Sequence, residues 1–253
     1  LNSDNPDTQV ATLAAGSHTL SFVGGPSVTG IDDTITANAV DVFVYDTSKD
    51  SDGGAWRTGS LAQASSWYAE ASSASREPTT RSTRAEFPAV AVIVAESNKV
   101  TIYDGDDPSL PMWMVFDQVS GSQDMLGRRP VVAVQMLNGL LCIVSSDASN
   151  PGGYAPLVRV DFMSDVVKHM NGVGTYTFPE TISERQSATY SSSSPNDPTY
   201  WIPAAGLLAD QTLNDVAMTV LPDAPTDPVT GLPVPTIAVA TNGGVSVIKD
   251  DGT

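Results

Sequence analysis

Three aspartates, Asp46, Asp50 and Asp52, stand just before the pair Gly53-Gly54. Alternating carboxylates ahead of glycine are what a calcium loop uses: hard oxygen ligands wrap the cation, and glycine permits the sharp turn. The segment lacks the third regularly placed Asp and the closing Glu of that pattern. An ordinary acidic turn, in which Asp side chains accept nearby backbone N–H groups, therefore competes with calcium and carries more weight. Asp104-Gly105-Asp106-Asp107 is a second stretch of the same kind. Glycoside hydrolysis would need two carboxylates about 5–9 Å apart. Among 29 acidic residues such a pair arises by chance, and chain spacing singles none out. Glu96 and Asp104 bracket a hairpin, Asp117 and Asp161 end strands, and each reads as a cap.

Other chemistries lack their residues. The two histidines, His18 and His169, stand in no metal-binding spacing, and the single cysteine, Cys142, lies in an apolar run. That pattern disfavours a zinc site and rules out an intrachain disulfide. There is no Gly-x-Ser-x-Gly elbow and no phosphate-binding loop, and Gly172-Val173-Gly174 is too short for a dinucleotide fingerprint. No catalytic residue is assigned. Aromatics in polar segments offer a binding signal instead: Trp56, Trp67, Tyr68, Tyr200 and Trp201. Loop Trp and Tyr stack on sugar rings or anchor protein interfaces. The weightier alternative is that they plug gaps between sheets.

The charge narrows the partners. Twelve Lys and Arg against 29 acidic residues give a net charge of −17, and 23 of the acids are Asp. Such a surface repels nucleic-acid phosphates and anionic lipid. It suits a soluble protein in salty surroundings or loops that take divalent cations. Asp over Glu favours turns over helix interiors. No apolar run reaches the ~20 residues that a spanning helix needs. Leu1-Asn2-Ser3-Asp4 has no leader pattern, and the chain reads as part of something longer.

The elements that would position these residues are strands. Val90–Val94, Val131–Gln135 and Val216–Val220 share one pattern, with starts 41 and then 85 residues apart. Each is followed by an Asn-containing turn and another apolar strand: at Asn98-Lys99, Asn138-Gly139 and Asn242-Gly243-Gly244. A recurrence of roughly 40–45 residues with several strands per unit is that of a β-propeller blade. Val40 to Tyr45 alternates as a strand, and the 214 residues from Val40 onward hold about five such periods. That strand is free to complete the last sheet and close a ring, as is chain beyond Thr253. A weaker unit starts at Val173–Phe178, and residues 222–235 form a Pro-rich excursion. Residues 55–86 read as a long loop with one short helix whose face is Leu61, Ala64, Tyr68 and Ala71. The expected class is all-β: a small β appendage or linker at 1–39, then a β-propeller-like array of antiparallel blades over 40–253.

Asp41 to Arg57, Glu86 to Glu96, Ile102 to Pro108 and Ala11 to Gly24 resemble stretches of large structural proteins of tailed bacteriophages, of marine and metagenomic type. The resemblance covers the greater part of the chain and carries no catalytic signature. It implies a virion component, of the tail or its fibres, that assembles with other virion proteins and copies of itself and faces cell-surface glycan. The expectation is a non-enzymatic scaffold located in the virion, with neither nucleic-acid binding nor membrane insertion. The alternatives are a carbohydrate-active depolymerase using an acidic pair, and an extracellular propeller with calcium in its loops.

Overall fold

The computed structural model describes residues 18–20, 28–31, 38–70, 81–118, 125–126, 129–146, 157–170, 174–178, 181–186, 201–203 and 208–249. Valine, isoleucine and threonine dominate its apolar runs, and branched side chains fit a pleated surface better than a helix. A hairpin of β1 (His18–Leu20) and β2 (Val28–Ile31) comes first. One sheet then holds β3 (Ala39–Asp46), β4 (Val90–Glu96), β5 (Lys99–Asp104) and β6 (Met112–Asp117) in chain order. A second holds β7 (Val131–Leu137), β8 (Leu140–Ser145), β9 (Leu157–Asp161), β10 (Val166–Met170), β11 (Gly174–Thr177) and β12 (Trp201–Pro203). A third holds β13 (Leu213–Thr219), β14 (Thr236–Thr241) and β15 (Gly244–Ile248). Every described pairing is antiparallel, and the helical elements described in full are single 3-10 turns and the five-residue α1 (Ser60–Ala64). The chain is all-β.

The first strands of the three larger sheets are built alike. Ala39 pairs with Glu96 and Asp41 with Ala95, so Val40 is an extra residue. Val131 pairs with Ser145 and Ala133 with Val144, so Val132 is extra. Leu213 pairs with Thr241 and Asp215 with Ala240, so Asn214 is extra. The same bulge thus recurs at the second residue of β3, β7 and β13. A bulge bends its strand and sharpens the twist. The repeat therefore starts at 39, 131 and 213, with steps of 92 and 82 residues.

Alternation beyond the bulge fixes which way each sheet faces. Phe43 and Tyr45 point from the first sheet into a core shared with Val134, Met136, Leu141 and Ile143 of the second. Ala133, Cys142 and Val144 point from the opposite face of the second sheet into a core shared with Val216, Ile237 and Val239 of the third. β7 thus lies against β3 on one side and β13 on the other. In bulge-aligned numbering, the odd side of each first strand looks toward the following sheet and the even side toward the preceding one.

Residues 47–70 and 81–89, between β3 and β4, fill the first of these cores. The rings of Phe87 and Trp113 lie 4.8 Å apart, Phe87 and Phe162 5.2 Å, and Trp67 and Phe162 5.5 Å, mostly edge to face. Each such pair adds about 0.5–1.5 kcal/mol beyond area burial. Trp67 Nε1 donates to the Phe162 carbonyl at 2.7 Å and Trp113 Nε1 to that of Glu86 at 2.9 Å, so burial strands neither ring's donor. Between β7 and β8, Asn138 and Gly139 have φ of 50° and 73°, the pair that a tight type I′ hairpin needs. A Cβ on Gly139 would meet Trp56 ring carbons at 3.3 Å.

Several expectations need correction. The 90–94 strand is second in its sheet, whereas those beginning at 131 and 213 are first, so the three are not equivalent. The 40–45 strand completes the sheet of β4 and not that of β15. Among the described residues, three larger sheets lie over the length allotted to five periods. The stretch expected to start a unit near 173 holds β11 (Gly174–Thr177), the fifth strand of the second sheet. On α1 the buried side chain is Ala62, while Ala64 is exposed.

Candidate functional site

The segment after β3 was the first candidate for chemistry, and its carboxylates are held by protein donors. Asp46 caps a 3-10 turn, accepting from Ser48 N at 3.0 Å and Ser48 Oγ at 2.7 Å. Asp52 accepts the N–H groups of Gly54 at 2.9 Å and Trp56 at 2.8 Å, which starts the next 3-10 turn. Gly54 adopts φ 81°, and a Cβ there would sit 2.6 Å from Thr47 Oγ1, so glycine serves packing as well as the turn. Asp50 is buried. It accepts from the Tyr45 hydroxyl, from Trp56 Nε1 at 2.8 Å and from Asn138 N at 2.8 Å. Tyr45 Oη in turn accepts Gly139 N–H at 3.0 Å. Asn138 Oδ1 accepts from Ser51 N at 2.9 Å, and its Nδ2 donates to Pro233 O at 3.0 Å. This cluster joins β3, the 46–56 turns, the β7–β8 hairpin and the Pro-rich excursion. Burial raises the Asp50 carboxyl above its usual range, with the three donors opposing. Burial and the adjoining Asp50 push the Tyr45 hydroxyl far up. The three carboxylates engage separate sets of donors, and among the described residues no three His, Cys, Asp or Glu side chains group as metal ligands.

Arg84 organises the second acidic turn. Its Nη1 reaches both Asp104 oxygens, at 2.7 and 2.6 Å, and its Nη2 reaches Asp106 at 2.7 Å. Asp106 also accepts the N–H groups of Ala89 and Val90, at 2.8 and 2.9 Å. These donors, opposed by burial, bring the Asp106 carboxyl below its ordinary value. Glu96 bridges to Lys99 at 2.6 Å across the β4–β5 turn. Asp161 accepts from Met163 N and Ser164 N after β9, the cap expected of it.

The aromatic candidates divide. Trp56 and Trp67 are core side chains with no ring face open to a sugar, and Tyr68 is half-buried, edge-on to Trp67 at 5.7 Å. The two tryptophans fill the gap between the first two sheets. Tyr200 lies outside the described residues, as does the side chain of Trp201, whose backbone belongs to β12. His169 lies inside β10, fully buried, with Nε2 2.8 Å from the Met125 carbonyl. Burial draws its pKa down to about 4. Cys142 is buried and its thiol is pushed up to about 12, a small apolar group rather than a nucleophile.

Sequence reasoning missed the buried arginines. The Arg81 guanidinium lies 4.2 Å over the Trp113 ring and donates to the Ala85 carbonyl at 2.8 Å. Burial lowers it to about 10. Arg185 holds Glu70 through two nitrogens, at 2.8 and 3.2 Å, and donates to Val115 O at 2.7 Å. The only sequence signal was the concentration of Arg57, Arg76, Arg81 and Arg84 in one weakly charged segment.

One further place gathers carboxylates from separate sheets, at the bulges of the first strands. Asp41 accepts its own neighbour's Val42 N–H at 2.8 Å through one oxygen. Through the other it takes Val134 N–H of β7, also at 2.8 Å. Asp215 repeats the local half of this, taking Val216 N–H at 2.8 Å. At the equivalent position β7 has Ala133, so the N–H of Val134 is served from the preceding sheet. Burial raises the Asp41 carboxyl, and the charge of Asp215 adds to the rise. Among the described residues no helix is long and apolar enough to cross a membrane. Comparison with protein-family models, curated proteins and solved structures yields no match to this chain.

Proposed function

We propose that the chain is a non-enzymatic structural component of a bacteriophage virion, of the tail or a tail fibre, and that its three larger sheets are blades of a β-propeller-like array. The observation that carries this reading is the shared bulge at the start of β3, β7 and β13, with the same facing rule in each sheet. Equivalent first strands in mutual contact are the inner strands of blades around an axis. The carboxylates and aromatics that could have done chemistry are spent on joining elements, which favours a stiff scaffold. Its partners are other virion proteins and copies of itself, with cell-surface glycan reached through loops. The test is labelling: antibody against the purified chain is applied to intact phage particles under the electron microscope. Label on the tail supports the reading, and unlabelled particles from a phage that carries the gene remove it.

A second reading is a carbohydrate-active depolymerase. It is favoured by one pair, Asp41 with a raised carboxyl beside the exposed Asp215. A glycosidase uses two carboxyl groups, one of them with a raised value as general acid. Polysaccharide cleavage that disappears in Asp215→Asn while the melting curve stays in place would favour it over the scaffold.

A further inference from the structure

Two cations stand directly opposite each other in the second sheet. Arg159 of β9 pairs with Lys168 of β10, so their side chains leave the same face, with Cβ atoms about 5 Å apart. The same row holds Gln135 of β7 and Cys142 of β8. It lies on the face that meets the third sheet, since Cys142 belongs to the core shared with Val216 and Ile237. The row runs from cover to water: Cys142 is buried, Arg159 half-buried and Lys168 exposed.

Like charges facing each other across a strand pair work against the fold. With 29 acidic residues in the chain, a carboxylate to separate them is easily supplied, yet neither forms an ion pair among the described residues. Arg57, Arg81, Arg84, Arg129 and Arg185 each donate to a carbonyl or a carboxylate. Arg159 is the exception among the described arginines. Its Nε is buried without an acceptor, although Gln135 Oε1 in the same row is also unbonded. Asp161, two positions along on the same face, is taken up by Met163 N, Ser164 N and Ser164 Oγ. The Asp227 carboxyl is lowered first by Thr230 N–H and only last by Lys168. Burial lowers the Arg159 guanidinium from its ordinary value, and Cys142 is the one group opposing. A guanidinium drawn partly out of water without a partner destabilises the fold, and its planar fork matches the two oxygens of a carboxylate.

We propose that Arg159 and Lys168 together receive a carboxylate from outside the chain, at the rim where the third sheet stops covering the second. The Arg159 fork grips it, and the Lys168 ammonium closes over it from the solvent side. The source is an acidic sugar, and this part rests on the glycan-facing reading of the protein. A net charge of −17 repels polyanions at a distance, but salt screens that repulsion beyond roughly 8 Å, so the two local cations decide the binding of a single carboxylate.

The test follows the Arg159 Nε–H resonance of isotope-labelled chain while sodium glucuronate replaces sodium chloride at constant ionic strength. A saturable shift is expected, with a dissociation constant of about 10 mM or below, and none with glucose. Backbone resonances of β9 and β10 report binding in the variants. Arg159→Gln and Lys168→Gln are each expected to weaken it by about tenfold or more. Lys168→Glu sets a carboxylate opposite Arg159, so it should abolish glucuronate binding and raise the melting temperature by roughly 2 °C. The absence of a saturable shift up to about 100 mM glucuronate overturns the proposal. So does a Lys168→Glu variant that binds as the wild type does, or that melts below it. Sulfate binding more tightly than glucuronate overturns the assignment to a carboxylate. Acetate binding as tightly as glucuronate supports the carboxylate site and removes the sugar as its source. Particle labelling reads separately: a labelled tail without a glucuronate shift removes this site alone, and a shift with no label removes the virion placement alone.

Discussion

Replacing Asp50 by alanine strands three buried donors at once. The carboxylate serves the Tyr45 hydroxyl, Trp56 Nε1 and the Asn138 backbone N–H, and Trp56 and Asn138 are themselves buried. Each buried donor left without a partner costs about 1–3 kcal/mol. Part of this is recovered because a desolvated carboxyl is removed and the space admits water, which leaves a net loss of about 4 kcal/mol. Asp50→Asn keeps the volume and one acceptor oxygen. Its amide nitrogen, however, faces the Trp56 donor, so about 2 kcal/mol is expected. Urea unfolding followed by tryptophan fluorescence reads both. With a slope near 3 kcal/mol/M, the alanine midpoint falls by about 1 M and the slope is unchanged. Tyr45→Phe in the alanine background should cost less than in the wild type, since its partner is already gone. An alanine variant within about 1 kcal/mol of wild type would refute the reasoning, for the cluster would then not be joining the elements.

Other consequences follow from the same geometry. His169 titrates at about 4 in the fold against 6.5 in the unfolded chain, so the unfolded chain binds more protons between those values. Its contribution is full above pH 6.5 and is lost as pH falls through about 4, a change of about 3 kcal/mol. His169→Gln, which keeps a donor for the Met125 carbonyl, should flatten the melting temperature over that window, and an unchanged slope would count against it. Glu70→Ala leaves the buried Arg185 guanidinium without its carboxylate and should lower stability by about 3 kcal/mol, read by the same urea curves. With Asp46, Asp50 and Asp52 engaged by protein donors, calcium or a chelator should leave the melting temperature in place. A calcium-dependent rise would restore the metal loop.

The strands were legible because alternation and β-branching leave a clear trace. The strands at 90–96 and 131–137 contain the runs Val90–Val94 and Val131–Gln135, and those at 99–104 and 140–145 follow the Asn turns as expected. Strand rank within a sheet was not legible. Val90–Val94 and Val131–Gln135 have the same apolar pattern, yet only the second carries the bulge, and a bulge is a matter of register with a partner. The short β10 escaped because Lys168 and His169 break its apolar run, although His169 is buried by contacts from elsewhere in the chain. For the site, sequence found the acidic turns but not their donors. Arg84 lies 20 and 22 positions from Asp104 and Asp106, and Asn138 lies 88 from Asp50. Polar residues surround Trp56 and Trp67 in sequence, so the chain alone does not name what covers them; Phe87, Trp113 and Phe162 do.

The most direct measurement is an electron cryomicroscopy map of the protein in its native assembly. The blade reading predicts the sheets of β3–β6, β7–β12 and β13–β15 set in chain order about an axis, their bulged strands innermost. Sheets laid face to face in a two-layer sandwich would contradict it.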